Sequence, residues 1–440
     1  MHSVFASTRR VVVTGLGVVS PVGCNTQEFW AALMARRNGV TQTGDSGSGR
    51  ETGDLWAGRC PFTGHIDDFG ELPKATRKTV RKSLKLMNRE TQLGVAAGQQ
   101  AIRDSGFLDT DIDRERVGVC FGAGNVSMLP ADFLAGVDAC STEEGFDLSR
   151  WGEDGLPQVE PLWLLRCLPN MPSCHLAIIN DLRGLNNCIT QREAAANLAV
   201  AEAARAIQDD EADAVVVGGT GTLLQPVNQL HQLLEQGASD TEQSRRVDCR
   251  PFDAARGAMV PAEGAGAIIL EEYGAAMRRG ARIYGEYAGG GASCVIDRNG
   301  QPDARAAIRN AIRAVLNDAS ATVDDINQIH AHGLGTRRAD RDEALAIHDA
   351  LEAQADAVPV TTVKGNMGNP GAGGGAIELV AGLLALQHGR LFPVCNTSAL
   401  DPECPVRLVT SDDVPAGDAF ISLNVHHRGL ASGVMIRRAA

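Results

Sequence analysis

Several side chains in this sequence are of types that could act on a bound substrate. Glu193 opens an alanine-rich helical segment, residues 194–207, that carries no charge before Glu202 and Arg205. A helix N-terminus favours an ionised carboxylate by roughly 0.3–1 kcal/mol, whereas burial stabilises the neutral acid. In a buried cleft such a carboxylate is suited to proton abstraction as a general base. His332 lies in the run HAHGLGT at 330–336 and either fills a hydrogen-bonded core position or lines a site. His426, His427 and Arg428 are consecutive. Neighbouring side chains on a strand point to opposite faces, so the two imidazoles are not expected to share a metal. The nearest thiol before Glu193 is Cys188. Five residues of extended chain reverse its face and place it roughly 16 Å away, so it reads as a core or strand cysteine.

These groups need a layered scaffold to bring them together. Residues 10–19 (RVVVTGLGVV), 117–124 (VGVCFGAG), 212–222 (ADAVVVGGTGT) and 264–272 (GAGAIILEE) are short, β-branched and bounded by glycine, as interior strands are. Between such runs lie helical patterns. Ile308, Ala311, Ile312 and Val315 fall at i, i+3, i+4 and i+7, opposite Arg305, Arg309 and Arg313. Alternating strands and helices indicate an α/β chain. The stretch 282–293 (RIYGEYAGGGAS) faintly echoes RRVVVTGLGVVSP, which hints at an internal duplication. Residues 39–68, rich in Gly, Ser, Thr and Asp, are expected to form a surface loop.

Composition narrows the function classes. No apolar run approaches the roughly 20 residues of a membrane helix, and the first ten residues lack the apolar stretch of a secretory signal, so a cytoplasmic location is expected. Eleven cysteines without a Cys-x-x-Cys pair fit a reducing compartment and no zinc site. A net charge of −13 argues against nucleic-acid binding. Lys74, Arg77, Lys78, Arg81, Lys82 and Lys85 nevertheless form one basic run without an acid. That run is either a solvated face or a docking surface for an acidic protein.

Four ordered segments resemble the β-ketoacyl synthase family: residues 11–23 (VVVTGLGVVSPVG), 250–272 (RPFDAARGAMVPAEGAGAIILEE), 329–336 (IHAHGLGT) and 363–378 (VKGNMGNPGAGGGAIE). The resemblance implies a thiolase-like α/β fold of two similar α-β-α-β-α halves, divided here as 1–272 and 273–440, a dimer, and chemistry on acyl thioesters. In residues 184–196, GLNNCITQREAAA, Glu193 falls where the family's motif has its nucleophilic cysteine. His332 matches the family's first histidine, and Asn369 takes the place of the second. Lys364 matches the family's lysine, whose acidic partner corresponds to Glu343; that pair is structural or catalytic. His426, His427 and Arg428 replace residues of a glycine-rich loop with gating aromatics.

A carboxylate is a poor acyl carrier, because a mixed anhydride lies far above a thioester in energy. Asparagine donates a neutral hydrogen bond but carries no proton or positive charge. The resemblance therefore implies a chain-length-factor-like subunit that pairs with an active ketosynthase, or with itself, and meets an acyl carrier protein, with no cofactor or metal. The alternative is an autonomous enzyme using Glu193 as a general base for decarboxylation, hydrolysis or non-covalent Claisen chemistry.

Overall fold

The valine- and isoleucine-rich runs become the interior of one large sheet. The computed structural model describes residues 9–43, 55–125, 128–236 and 248–439. Its strands are β1 (Val11–Val19), β2 (Val117–Gly122), β3 (Asn186–Ile189), β4 (Ala214–Thr222), β5 (Glu263–Glu272), β6 (Gly285–Cys294), β7 (Gln328–His330), β8 (Pro359–Thr361), β9 (Arg407–Leu408), β10 (Ala419–His426) and β11 (Leu430–Arg437). They lie in the order β9-β8-β7-β10-β11-β6-β1-β5-β4-β2-β3. Strands β1, β2, β4 and β5 are almost entirely buried, which is why they read as continuous apolar runs and not as alternations.

The faint echo in the sequence corresponds to a repeated topology. β1 to β5 are arranged β3-β2-β4-β5-β1, and β6, β7, β8, β10 and β11 repeat that arrangement as β8-β7-β10-β11-β6. In both sets the first three neighbours are parallel and the last two pairings antiparallel. The sets join where β1 meets β6, with Val12 opposite Glu286 and Val13 opposite Gly285.

Six helices matter for the site: α1 (Lys74–Ser83), α2 (Arg89–Ser105), α3 (Ala195–Gln208), α4 (Ala304–Asp318), α5 (Arg337–Leu351) and α6 (Gly373–His388). α2 packs on β1, β4 and β5, and α4 on β6 and β11, so these helices cover the outer faces. α3 and α6 touch strands of both sets and each other, forming the middle of the α-β-α-β-α layering. α6 is buried along its whole length from Gly373 to Leu386, as an all-round apolar helix must be. Its glycines permit this closeness: a Cβ on Gly373 would stand 2.1 Å from the carbonyl oxygen of Gly264. α4 buries Ile308, Ala311, Ile312 and Val315 as its spacing predicts.

Two expectations are corrected or refined. Val40–Thr43 and Leu55–Gly58 pair as an antiparallel ladder inside the region expected to be loop. Val40 packs there with Cys249, Val260 and Trp56, and this apolar contact outweighs the loop-forming composition. The intervening residues 44–54, like residues 1–8, lie outside the described residues. The basic run is helical, with Val80 buried beneath it and Lys74, Lys78, Arg81, Lys82 and Lys85 exposed. Arg77 is paired with Asp67. All eleven cysteines are free thiols. Among the described residues no helix is long and apolar enough to cross a membrane.

Candidate functional site

The middle layer positions the site, because the chain enters both of its helices at the same end. A single 3-10 turn, Arg192–Ala194, leads into α3. Arg192 has φ of 50°, in the left-handed region that side chains disfavour by roughly 1–2 kcal/mol. This sharp turn carries Glu193 to the head of the helix, where the residue is 7% exposed. One carboxylate oxygen, Oε1, accepts a hydrogen bond of 3.4 Å from Asn369 Nδ2. The other, Oε2, is shielded from solvent and has no hydrogen-bond partner. Arg192 Nε and His426 Nε2 stand 3.8 and 3.9 Å from it.

Asn369 lies in the loop that feeds α6. Its main chain is pinned on both sides: the N–H donates to Val260 O (2.8 Å), and the carbonyl accepts from Ala262 N (2.8 Å). Its Oδ1 accepts from Gly371 N at 3.2 Å, which directs Nδ2 toward Glu193 and toward Met259 Sδ at 3.1 Å.

His332 follows β7 and is fixed by its backbone and its ring. Its N–H donates to Glu343 Oε1 (2.7 Å), while Gly333 N–H donates to Glu343 Oε2 (2.8 Å). Lys364 Nζ lies 3.1 Å from His332 Nδ1. A lysine ammonium has only donors, so Nδ1 accepts and the ring proton sits on Nε2. Burial, then Lys364 and His426, holds the His332 pKa well below the usual histidine range, which keeps the ring neutral. Burial pushes the Glu343 carboxyl up to about 8.

The expected pairing of Lys364 with Glu343 is not formed. Lys364 is fully buried and pairs instead with Glu378 of α6, whose other oxygen accepts from Asn424 Nδ2. Glu343 is occupied by two backbone donors and so serves the loop of His332 rather than the lysine. The sequence carries a sign of this pairing: Glu378 is the lone charged residue in the buried length of α6. Such a residue needs a buried partner. Asn424, Met259 and Arg192 were likewise not singled out by their residue types.

Glu193, His332, Asn369, Glu343 and His427 line one cleft of about 420 Å³, with Arg192, Arg337 and Arg338 also in its wall. Lys364 stands behind His332, and Arg428 is exposed and outside the lining. The rings of His426 and His427 lie 4.3 Å apart, not on opposite faces. His426 ends β10 and the chain turns at 427–429, so strand alternation no longer applies. No group of three or more His, Cys, Asp or Glu among the described residues could hold a metal ion. Cys188 lies on β3, its thiol donates to Pro169 O at 3.2 Å, and burial pushes its pKa up to about 12. No cysteine lines the cleft.

A neighbouring histidine gives a pH prediction. His330 is fully buried against Phe392, and burial pushes its pKa down to about 3. Between that value and about 6.5 the unfolded chain binds one proton that the folded chain does not. Stability therefore falls as pH falls, by about 1.4 kcal/mol per pH unit for this group. H330N is expected to lose less stability than the native protein between pH 6 and pH 4 in urea unfolding, and equal losses would contradict this account.

The model of the β-ketoacyl synthase N-terminal domain matches residues 8–276, and that of the C-terminal domain matches residues 284–398. The chain is 32% identical over 403 residues to 3-oxoacyl-[acyl-carrier-protein] synthase 2 of Synechocystis sp., covering 91% of each protein. It superposes on the ishigamide ketosynthase/chain length factor with a TM-score of 0.81 and 25% identity, covering 99% of this chain and 100% of the other. A type II polyketide synthase acyl-carrier protein in complex with its ketosynthase gives a TM-score of 0.79 at 25% identity, with the same coverage.

Proposed function

The chain belongs to the β-ketoacyl synthase family, and we propose that within it the protein is a non-condensing subunit of the chain-length-factor type. In this role it pairs with an active ketosynthase and contributes a cleft that holds a carrier-bound acyl chain. One observation carries the reading. At the head of α3, where the family's motif has its cysteine, the cleft contains the carboxylate of Glu193 beside Asn369 and a neutral His332, and no thiol. The group that would accept the acyl chain and the cation that would stabilise an enolate are both replaced, while the scaffold that positioned them remains.

The similarity to a ketosynthase/chain length factor at nearly full coverage supports this role. The short edge strand β3 is half exposed, and Leu162, Leu164, Leu165 and Ile178 are exposed apolar residues preceding it. Together they offer a surface suited to a partner subunit. The exposed cations of α1 and Lys85 suit an acidic carrier protein, which binds the ketosynthase in a similar structure. Residues 1–272 and 273–440 serve as the two halves, and no cofactor is required.

The decisive test is intact-mass spectrometry after incubation with malonyl and acyl carrier protein. The expected result is no acyl adduct and no condensation by the chain alone, with co-purification when a cysteine-bearing ketosynthase is co-expressed. A stable acyl adduct would sink the proposal. The poorly satisfied carboxylate of Glu193 favours a second reading, an autonomous enzyme with Glu193 as general base. Thioester turnover by the isolated chain, abolished by E193Q, would establish that reading instead.

A further inference from the structure

Resting on the reading of the cleft as an acyl-thioester site, we infer that Glu193 is a recognition group for a hydroxyl on the acyl chain, so that hydroxyacyl thioesters are the preferred ligands. The inference starts from an unmet hydrogen-bonding demand. An ionised carboxylate offers about four acceptor positions, yet Glu193 uses one, in a long bond from Asn369. Its Oε2 is cut off from water and accepts nothing. Buried polar atoms in that condition are uncommon in folded proteins and are costly. The terminal torsion of a glutamate is broad and two-fold, so either oxygen can be turned toward the cleft that the residue lines.

The surroundings select the kind of donor. Arg192 Nε at 3.8 Å and His426 Nε2 at 3.9 Å lie too far away for hydrogen bonds, although the guanidinium is close enough for charge interaction. The guanidinium already supplies a positive charge, so an ammonium group would meet repulsion while a neutral O–H would not. The Nε2–H of His332, which lines the same cleft, is a donor suited to the thioester carbonyl. Because His332 and Glu193 line one cleft, a hydroxyl borne two carbons from that carbonyl is the group we assign to the carboxylate. A ketone at the same carbon offers only lone pairs and would face Glu193 without a proton to share. A saturated chain would leave the carboxylate unpaired.

The test compares three ligands of one chain length, 3-hydroxybutyrylpantetheine, acetoacetylpantetheine and butyrylpantetheine, by calorimetric titration of the full chain, alone and with its ketosynthase partner. A hydrogen bond to a charged acceptor leads us to expect the hydroxy compound to bind on the order of tenfold or more tightly than the other two. E193L should remove this preference, so that the hydroxy compound loses its advantage over the other two. Equal binding of all three by the native protein overturns the inference and leaves the acyl-binding role standing. Preference for the ketone overturns it in the same way. Binding of none overturns both the inference and the reading on which it rests. The comparison of ligands on the native chain decides the matter even if E193L does not fold.

Discussion

Glu193→Cys is expected to take up one acyl group per chain from an acyl carrier protein thioester, where the native protein takes up none. The position has features that favour a thiolate. Glu193 stands at the head of the 14-residue helix α3, is 7% exposed, and has Arg192 and His426 within 4 Å of its carboxylate. A helix N-terminus and an adjacent guanidinium lower a thiol pKa, and the thiolate is the nucleophile. Thioester exchange then proceeds at little thermodynamic cost, unlike anhydride formation on a carboxylate. Acylation should nonetheless stop at the adduct. Asn369 cannot provide the positive charge that a second histidine would, and electrostatic stabilisation of this kind is worth about 10²–10³ in rate. The double variant E193C/N369H is expected to release carbon dioxide from malonyl carrier protein at least about a hundredfold faster than E193C. Intact-mass analysis reads the first step and carbon dioxide release the second. An unacylated E193C protein of native fold would mean that the scaffold has diverged along with the residue.

Lys364→Met is expected to lower the unfolding free energy by about 3–5 kcal/mol, the usual consequence of removing one partner from a buried ion pair. Lys364 and Glu378 are both fully buried, and without the lysine the carboxylate keeps only Asn424 as a hydrogen-bond donor. The loss should depend on pH. Burial already raises the Glu378 carboxyl above its ordinary value, with Lys364 the largest opposing influence. Removing the lysine raises it further, so the variant's folded state retains a proton that the unfolded state releases above about 4.5. Its stability must then fall as pH rises through that interval, and the deficit should be larger at pH 8 than at pH 5.5 in urea denaturation. K364M/E378L should recover most of the deficit, since two apolar groups leave no unpaired charge. A pH-independent deficit would show that packing, not charge, holds this pair. Because Lys364 also fixes the His332 tautomer, the same variants connect the stability of the middle layer to the geometry of the cleft.

Much of this architecture was legible in the sequence because it rests on local patterns. β-Branched runs bounded by glycine gave β1, β2, β4 and β5 their buried positions, and a 3.6-residue period placed the buried face of α4. Glu193, His332 and Asn369 lie 139 and 37 residues apart along the chain, and it was their match to the motifs of one family that implied one site. Short-range composition misled at residues 40–58, where Val40 and Trp56 find apolar partners, Cys249 and Val260, that are distant in sequence. Strand alternation misled at His426 and His427, because the strand ends between them.

The sequence by itself therefore determined the α/β class, since strand and helix periodicities are set by neighbouring residues, and its family resemblance implied the fold and the kinds of groups available to the cleft. Only the tertiary structure decided who pairs with whom. Lys364 could have reached either of two acids, and its partner is Glu378 because α6 runs through the middle layer while Glu343 is held by the backbone of His332 and Gly333. The same holds for Glu193. Its type and position are written in the chain, but its unmet hydrogen-bonding demand arises only where α3, β10 and the loop before α6 converge and exclude water.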